Sequence, residues 1–125
     1  MSQHGTVHWS ELMTRDVEKA KAFYGATLGW TFDAMPMAEG TYWVCKAGDQ
    51  PAGGMFDMKD PKFAGLSEQW FTYFAVDDVD ACLAKARANG AKIEREPFQV
   101  PGVGRIAILT APGGAMMGWM TPAQA

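Results

Sequence analysis

Apolar and polar positions alternate between two periods along this chain, and the alternation repeats. An extended run at 7–13 leads into Thr14, Arg15 and Asp16. Val17, Ala20, Phe23, Tyr24, Thr27 and Leu28 then fall at i, i+3 and i+4 spacing, which is the stripe of an amphipathic helix. Thr14 or Asp16 is placed to cap its free N–H groups, and Gly29 stands where a left-handed C-terminal residue is wanted. The pattern returns 62 positions later, as the step from Asp16 to Asp78 shows. The aromatic run 70–74 reads as a strand, and Asp77 or Asp78 as a cap. Val79, Cys82, Leu83 and Ala86 form the next stripe, with Gly90 as the stop. Short aromatic and β-branched runs follow each helix, at 30–32, 41–45 and 53–58 in the first half and at 92–94, 105–110 and 115–120 in the second.

The order predicts an α+β fold of two βαβββ modules, at about 5–58 and 69–121, forming a curled eight-stranded mixed sheet as one domain. The polar, Pro-containing stretch 59–69 joins them. Two copies are too few for a solenoid, which needs three or more repeats to bury its faces. A chain of 125 residues buries roughly two thirds of its unfolded surface and holds a core without staples.

Composition narrows the partners. Fourteen acidic against eleven basic residues give a net charge of −3 with no basic face, which excludes nucleic acid and an anionic membrane surface. The N-terminal residues hold no apolar segment of signal-peptide length, and Cys45 and Cys82 form no CxxC pattern, so a reducing cytoplasm is the expected location. Both thiols read as buried rather than catalytic. Gly102, Val103, Gly104 and Arg105 mimic a phosphate loop, but no Lys-Ser/Thr follows, so they read as a turn before a strand.

The runs HWSELMTRDVEKAKAFYGATLGW and YFAVDDVDACLAKARANGAKI resemble the two module starts of the vicinal oxygen chelate superfamily. FYGATLGW and VGRIAILTAPGGA strengthen the likeness, which spans nearly the whole chain. Glyoxalases, bleomycin-resistance proteins, extradiol dioxygenases and methylmalonyl-CoA epimerases belong to that superfamily. Its enzymes hold one divalent metal in a cup between the modules, where open positions chelate neighbouring substrate oxygens.

The resemblance implies a first-strand ligand seven residues before the Asp that opens each helix, which is Trp9 before Asp16 and Phe71 before Asp78. The implied last-strand positions are Gly118 in the second module and the Gly53, Gly54, Met55 segment in the first. None of these residues offers an ordinary metal ligand, so the expected cofactor is none. The implied function is binding of a small, partly aromatic or apolar molecule in the cup, lined by Trp9, Glu11, Trp43, Met55, Phe71, Tyr73, Arg105, Met116 and Trp119, with hydroxyls from Tyr42 and Tyr73 and Glu11 as the candidate catalytic or anchoring carboxylate. In its structural reading Glu11 pairs with an Arg such as Arg105.

The alternative within the superfamily is a metal-dependent lactoylglutathione-lyase-like enzyme or ring-cleaving dioxygenase, with one Ni, Zn, Mn or Fe ion on His8 and Glu11. His4 falls in a terminal segment expected to be mobile, which leaves no second imidazole for such a centre. A further alternative is a non-catalytic interaction subunit. Relatives commonly dimerise, so the resemblance also implies a homodimer.

Overall fold

The computed structural model describes residues 3–37 and 40–123. Its elements are β1 (Val7–Thr14), α1 (Val17–Leu28), β2 (Thr31–Met37), β3 (Gly40–Ala47) and β4 (Gln50–Asp57), then β5 (Gln69–Ala75), α2 (Val79–Ala88), β6 (Lys92–Val100), β7 (Gly104–Thr110) and β8 (Met116–Pro122). The βαβββ order therefore occurs twice. The strands are ordered β2-β3-β4-β1-β5-β8-β7-β6 in one mixed sheet. β1 runs parallel to β4, and β5 parallel to β8, while the remaining described pairs are antiparallel.

Strands extend further than the apolar runs suggest. β2 reaches Met37 through exposed residues and β6 reaches Val100 through exposed and half-buried ones, because backbone pairing continues after side-chain alternation stops marking a buried face.

Contacts divide the chain into two compact units, Ser10–Trp70 and Met1–Trp9 with Phe71–Ala125. In the first unit, Asp16 caps α1 by accepting a hydrogen bond from the Lys19 N–H at 3.0 Å. Gly29 ends the helix at φ 72°, a conformation open to glycine because it has no Cβ. The helix faces a core of Leu12, Cys45 and Met55, against which Val17, Ala20, Tyr24, Trp30, Phe32 and Trp43 pack. Phe23 and Leu28 lie on the predicted stripe, yet both are mostly exposed, and no residue of α1 is fully buried.

The 59–69 stretch is fastened rather than loose. It contains a 3-10 turn at Pro61–Phe63. The Arg15 guanidinium donates to the carbonyls of Phe63 at 2.9 Å and Leu66 at 2.7 Å. Glu68 accepts from the Thr14 hydroxyl at 2.7 Å and from the Arg15 N–H at 3.2 Å.

In the second unit Asp78 caps α2 by accepting from the Ala81 N–H at 3.2 Å. Val79, Leu83 and Ala86 bury the helix against Val76, Ala107 and Leu109. Each fully buried aliphatic side chain of this kind contributes about 1.5–3 kcal/mol. The residues just before β1 are joined to the end of β5 here, through Gly5 N–H to the Ala75 carbonyl at 2.7 Å and Ala75 N–H to the Thr6 carbonyl at 2.9 Å. His4, expected in a mobile tail, accepts at Nδ1 from the Asp77 N–H at 2.9 Å.

Candidate functional site

Which face each strand residue takes follows from the two cores. On β1, Leu12 packs toward α1, so alternation turns Glu11 and Trp9 to the opposite, helix-free face. His8 then shares the side of Leu12. His8 and Glu11 are three residues apart on β1, so alternation along the strand gives them opposite faces. On β3 and β4, Trp43, Cys45 and Met55 face α1, whereas Tyr42 and Gly54 face away with Glu11.

This corrects two expected cup residues. Met55 is completely buried in the core under α1, and Trp43 packs on the same side with the Lys21 ammonium 3.8 Å from its ring centroid. Both runs are apolar throughout, and only pairing register decides which member turns inward.

The second unit sorts in the same way. Ala107, Leu109, Met117 and Trp119 lie against α2. Phe71, Tyr73, Met116 and Gly118 therefore occupy the helix-free face. Trp119 is thus removed from the expected cup, and it lines a helix-side groove of about 310 Å³ with Cys82, Lys85 and His4. Arg105 is also on the helix side. Its guanidinium donates to both carboxylate oxygens of Asp80 on α2, at 2.7 and 3.0 Å, where the sequence reading pairs it with Glu11.

Two glycines that sequence reading treats as empty positions have a structural use. Glu11 lies opposite Gly54 on β4, and Tyr73 lies opposite Gly118 on β8. Glu11 and Tyr73 are 62 positions apart, so Gly54 and Gly118 are equivalent positions in the two modules. A Cβ at Gly54 would overlap the Tyr42 hydroxyl, and one at Gly118 would overlap the Tyr73 ring and stand 3.2 Å from the Phe71 ring. Each glycine is the floor on which a tyrosine rests. Glycine inside a strand is the available signal for such close approach.

These residues do not fit a divalent ion at the positions the resemblance assigns. Trp9, Phe71, Gly54 and Gly118 carry no ligand atom for one, and aromatic rings fill the space above both glycines. Among the described residues no three His, Cys, Asp or Glu side chains gather as a metal-binding group. Burial pushes the Cys45 thiol up to about 11, which keeps it protonated and unreactive.

Two exposed carboxylates are held below their usual range. Glu68 is lowered by the Thr14 hydroxyl first and then the Arg15 N–H, and Asp80 by the Arg105 guanidinium. A carboxylate with a depressed folded pKa adds stability above its unfolded value, about 4, and loses it as pH falls through the folded value. Thermal melts from neutral pH to below pH 4 are therefore expected to show an acid-side fall that Glu68→Gln and Asp80→Asn each flatten. An unchanged acid limb in both variants would remove these contacts as its cause.

Two βαβββ modules with paired parallel strands and a tyrosine over an inner glycine in each define a duplicated α+β fold. The chain belongs to the Glyoxalase/Bleomycin resistance protein/Dioxygenase superfamily, whose pattern matches residues 6–117. It is 43% identical over 124 residues to a Mycobacterium tuberculosis protein named "Putative glyoxylase CFP32", covering 98% of this chain and 46% of that protein. It is 35% identical over 111 residues to the anthracycline biosynthesis protein DnrV of Streptomyces peucetius, covering 89% of this chain and 39% of that one. The chain thus spans less than half the length of these relatives. The crystal structure of a hypothetical protein from Bacillus halodurans superimposes with a TM-score of 0.75 at 12% identity, covering 98% of each chain. No helix of the described residues is long and apolar enough to cross a membrane.

Proposed function

We propose that this chain binds a small, flat, partly aromatic molecule on the helix-free face of its strands, without a divalent metal. The observation that carries this reading is the pair of tyrosines seated on Gly54 and Gly118. They put aromatic surface and a phenol where a metal-dependent relative would place an anionic ligand. In the first module Glu11 is the Cα partner of Gly54, so a carboxylate and the Tyr42 phenol share one patch of the face. In the second, Phe71 and Tyr73 pack edge to face with centroids 5.1 Å apart, and Met116 lies on the same side. Aromatic walls with few polar anchors are the general form of a small-molecule site.

The Streptomyces relative's place in anthracycline biosynthesis supports a flat polycyclic ligand class. Glu11 then accepts a hydrogen bond from a ligand hydroxyl, and the phenols donate to ligand carbonyls. Binding of an anthraquinone probe, followed by calorimetry, is expected to weaken about 2- to 10-fold in Tyr42→Phe and Tyr73→Phe, the range for loss of one neutral hydrogen bond. Glu11→Gln is expected to weaken it more, because a charged acceptor makes the stronger bond. Equal affinity in all three variants would defeat the assignment. Mass spectrometry after incubation with Ni, Zn, Mn and Fe(II) and exhaustive desalting separates this reading from the metal-dependent lyase, since one retained equivalent would overturn the metal-free reading.

A further inference from the structure

Duplication gives each helix a groove at the same place, and the two grooves differ in chemistry. The groove of about 420 Å³ beside α1 is lined by Ala20, Phe23 and Tyr24, with a cation and an acid, Lys19 and Glu68, at its wall. At 62 positions further on stand Cys82, Lys85 and Ala86, which line the groove of about 310 Å³ beside α2 together with His4, Asn89 and Trp119. All six of these residues belong to one compact unit. The second module thus carries an ammonium where the first carries the Phe23 ring, and no Asp or Glu lines its groove.

The donors in this groove are available. Among the described residues no ion pair holds the Lys85 ammonium, although Arg87 and Arg105 of the same unit are each paired with a carboxylate. His4 Nδ1 accepts from the Asp77 N–H at 2.9 Å, so the neutral ring carries its proton on Nε2, which is a donor. The Asp77 carboxylate stands 3.8 Å from His4 Nδ1, but its side chain is 85% exposed and water screens it. Asn89 is fixed at the helix end by donating from Nδ2 to the Lys85 carbonyl at 2.8 Å. Trp119 and Cys82, both half-buried, form an apolar floor packed on the α2 core.

We propose that this groove is a second binding site, separate from the helix-free face, for a small aromatic carboxylate. The ligand ring lies on the Trp119 indole, which offers a broad flat contact. Its carboxylate accepts hydrogen bonds from Lys85 Nζ and His4 Nε2, the charge-assisted kind that fixes an anion most strongly. An apolar floor with a few convergent donors and no acid selects an anion with a ring, and rejects a cation, even on a chain of net charge −3.

Cys82 supplies the reporter for the test. Cys45 has no exposed surface, whereas Cys82 borders the groove, so a small thiol reagent reads Cys82 in the folded chain. The Cys82 thiolate attacks one sulfur of neutral dithiodipyridine, a mixed disulfide forms, and a thiopyridone leaves whose absorbance gives the rate. Benzoate is expected to slow this labelling saturably, and benzyl alcohol, of similar shape without the charge, is expected not to. Lys85→Glu, at an exposed position, is expected to weaken benzoate protection by about 10-fold or more, and Lys85→Arg to retain it. In Cys82→Ser, where no reaction takes place at the groove, benzoate is expected still to shift the Trp119 indole N–H resonance. Labelling that ignores benzoate overturns the proposal. So do equal protection by benzyl alcohol, protection that Lys85→Glu leaves unchanged, and an indole resonance that stays in place.

Discussion

Gly118→Ala is expected to destabilise the fold by about 1–3 kcal/mol, the range for an overpacked site. The new methyl would overlap the Cδ1 and Cε1 side of the Tyr73 ring, near its root, and press on Phe71, which is 4% exposed. A ring struck near its root cannot swing aside without moving its strand, and β5 is paired to β8 at that residue. The companion change Tyr73→Ala opens the space again. The double variant is therefore expected to be more stable than the two single losses would sum to, and the coupling appears in a double-mutant cycle from urea unfolding. Strict additivity would show that the tyrosine does not rest on the glycine. Gly54→Ala provides the contrast. There the methyl meets the hydroxyl end of Tyr42, which moves more freely, so the expected result is a smaller loss of stability and a displaced phenol, read as weaker binding of the anthraquinone probe.

Met55→Ala is expected to cost about 2–5 kcal/mol, which corresponds to about 8–20 °C in melting temperature for a domain of this size. Met55 has no exposed surface and packs with Leu12 and Cys45, so truncation leaves a cavity under α1. The measurement is a pair of unfolding curves together with a probe titration of the folded variant. A large fall in stability with affinity retained agrees with a core methionine. Lost affinity with unchanged stability would return Met55 to the ligand-lining set from which the structure removes it.

The element order was legible because each module states it twice. Asp16 with Gly29, and Asp78 with Gly90, which follows the C-cap Asn89 at φ 92°, bracket apolar stripes of helical period, and such local signals need no distant partner. The last-strand glycines were legible as positions without a ligand atom. Their use was not, because the ring over Gly54 comes from β3 and the ring over Gly118 from β5. No motif records which neighbouring strand supplies a ring. Of the residues expected to line one cup, Trp9, Glu11, Phe71, Tyr73 and Met116 share the helix-free side of their modules, whereas Trp43, Met55, Arg105 and Trp119 lie on the helix side. Arg105 shows why. A basic residue on a strand has no partner until the fold brings one close, and here Asp80 arrives from the first turn of α2.

By itself the sequence determined the duplicated βαβββ order, both helices with a pair of candidate N-caps each, and the lack of ordinary metal ligands at the positions its resemblance assigns, since these rest on residue type and short-range period. The tertiary structure alone decided which side of each strand packs on a helix and which residues fill the space above Gly54 and Gly118. A strand's two faces differ by a single residue of register, and register is set by partners far away in the chain.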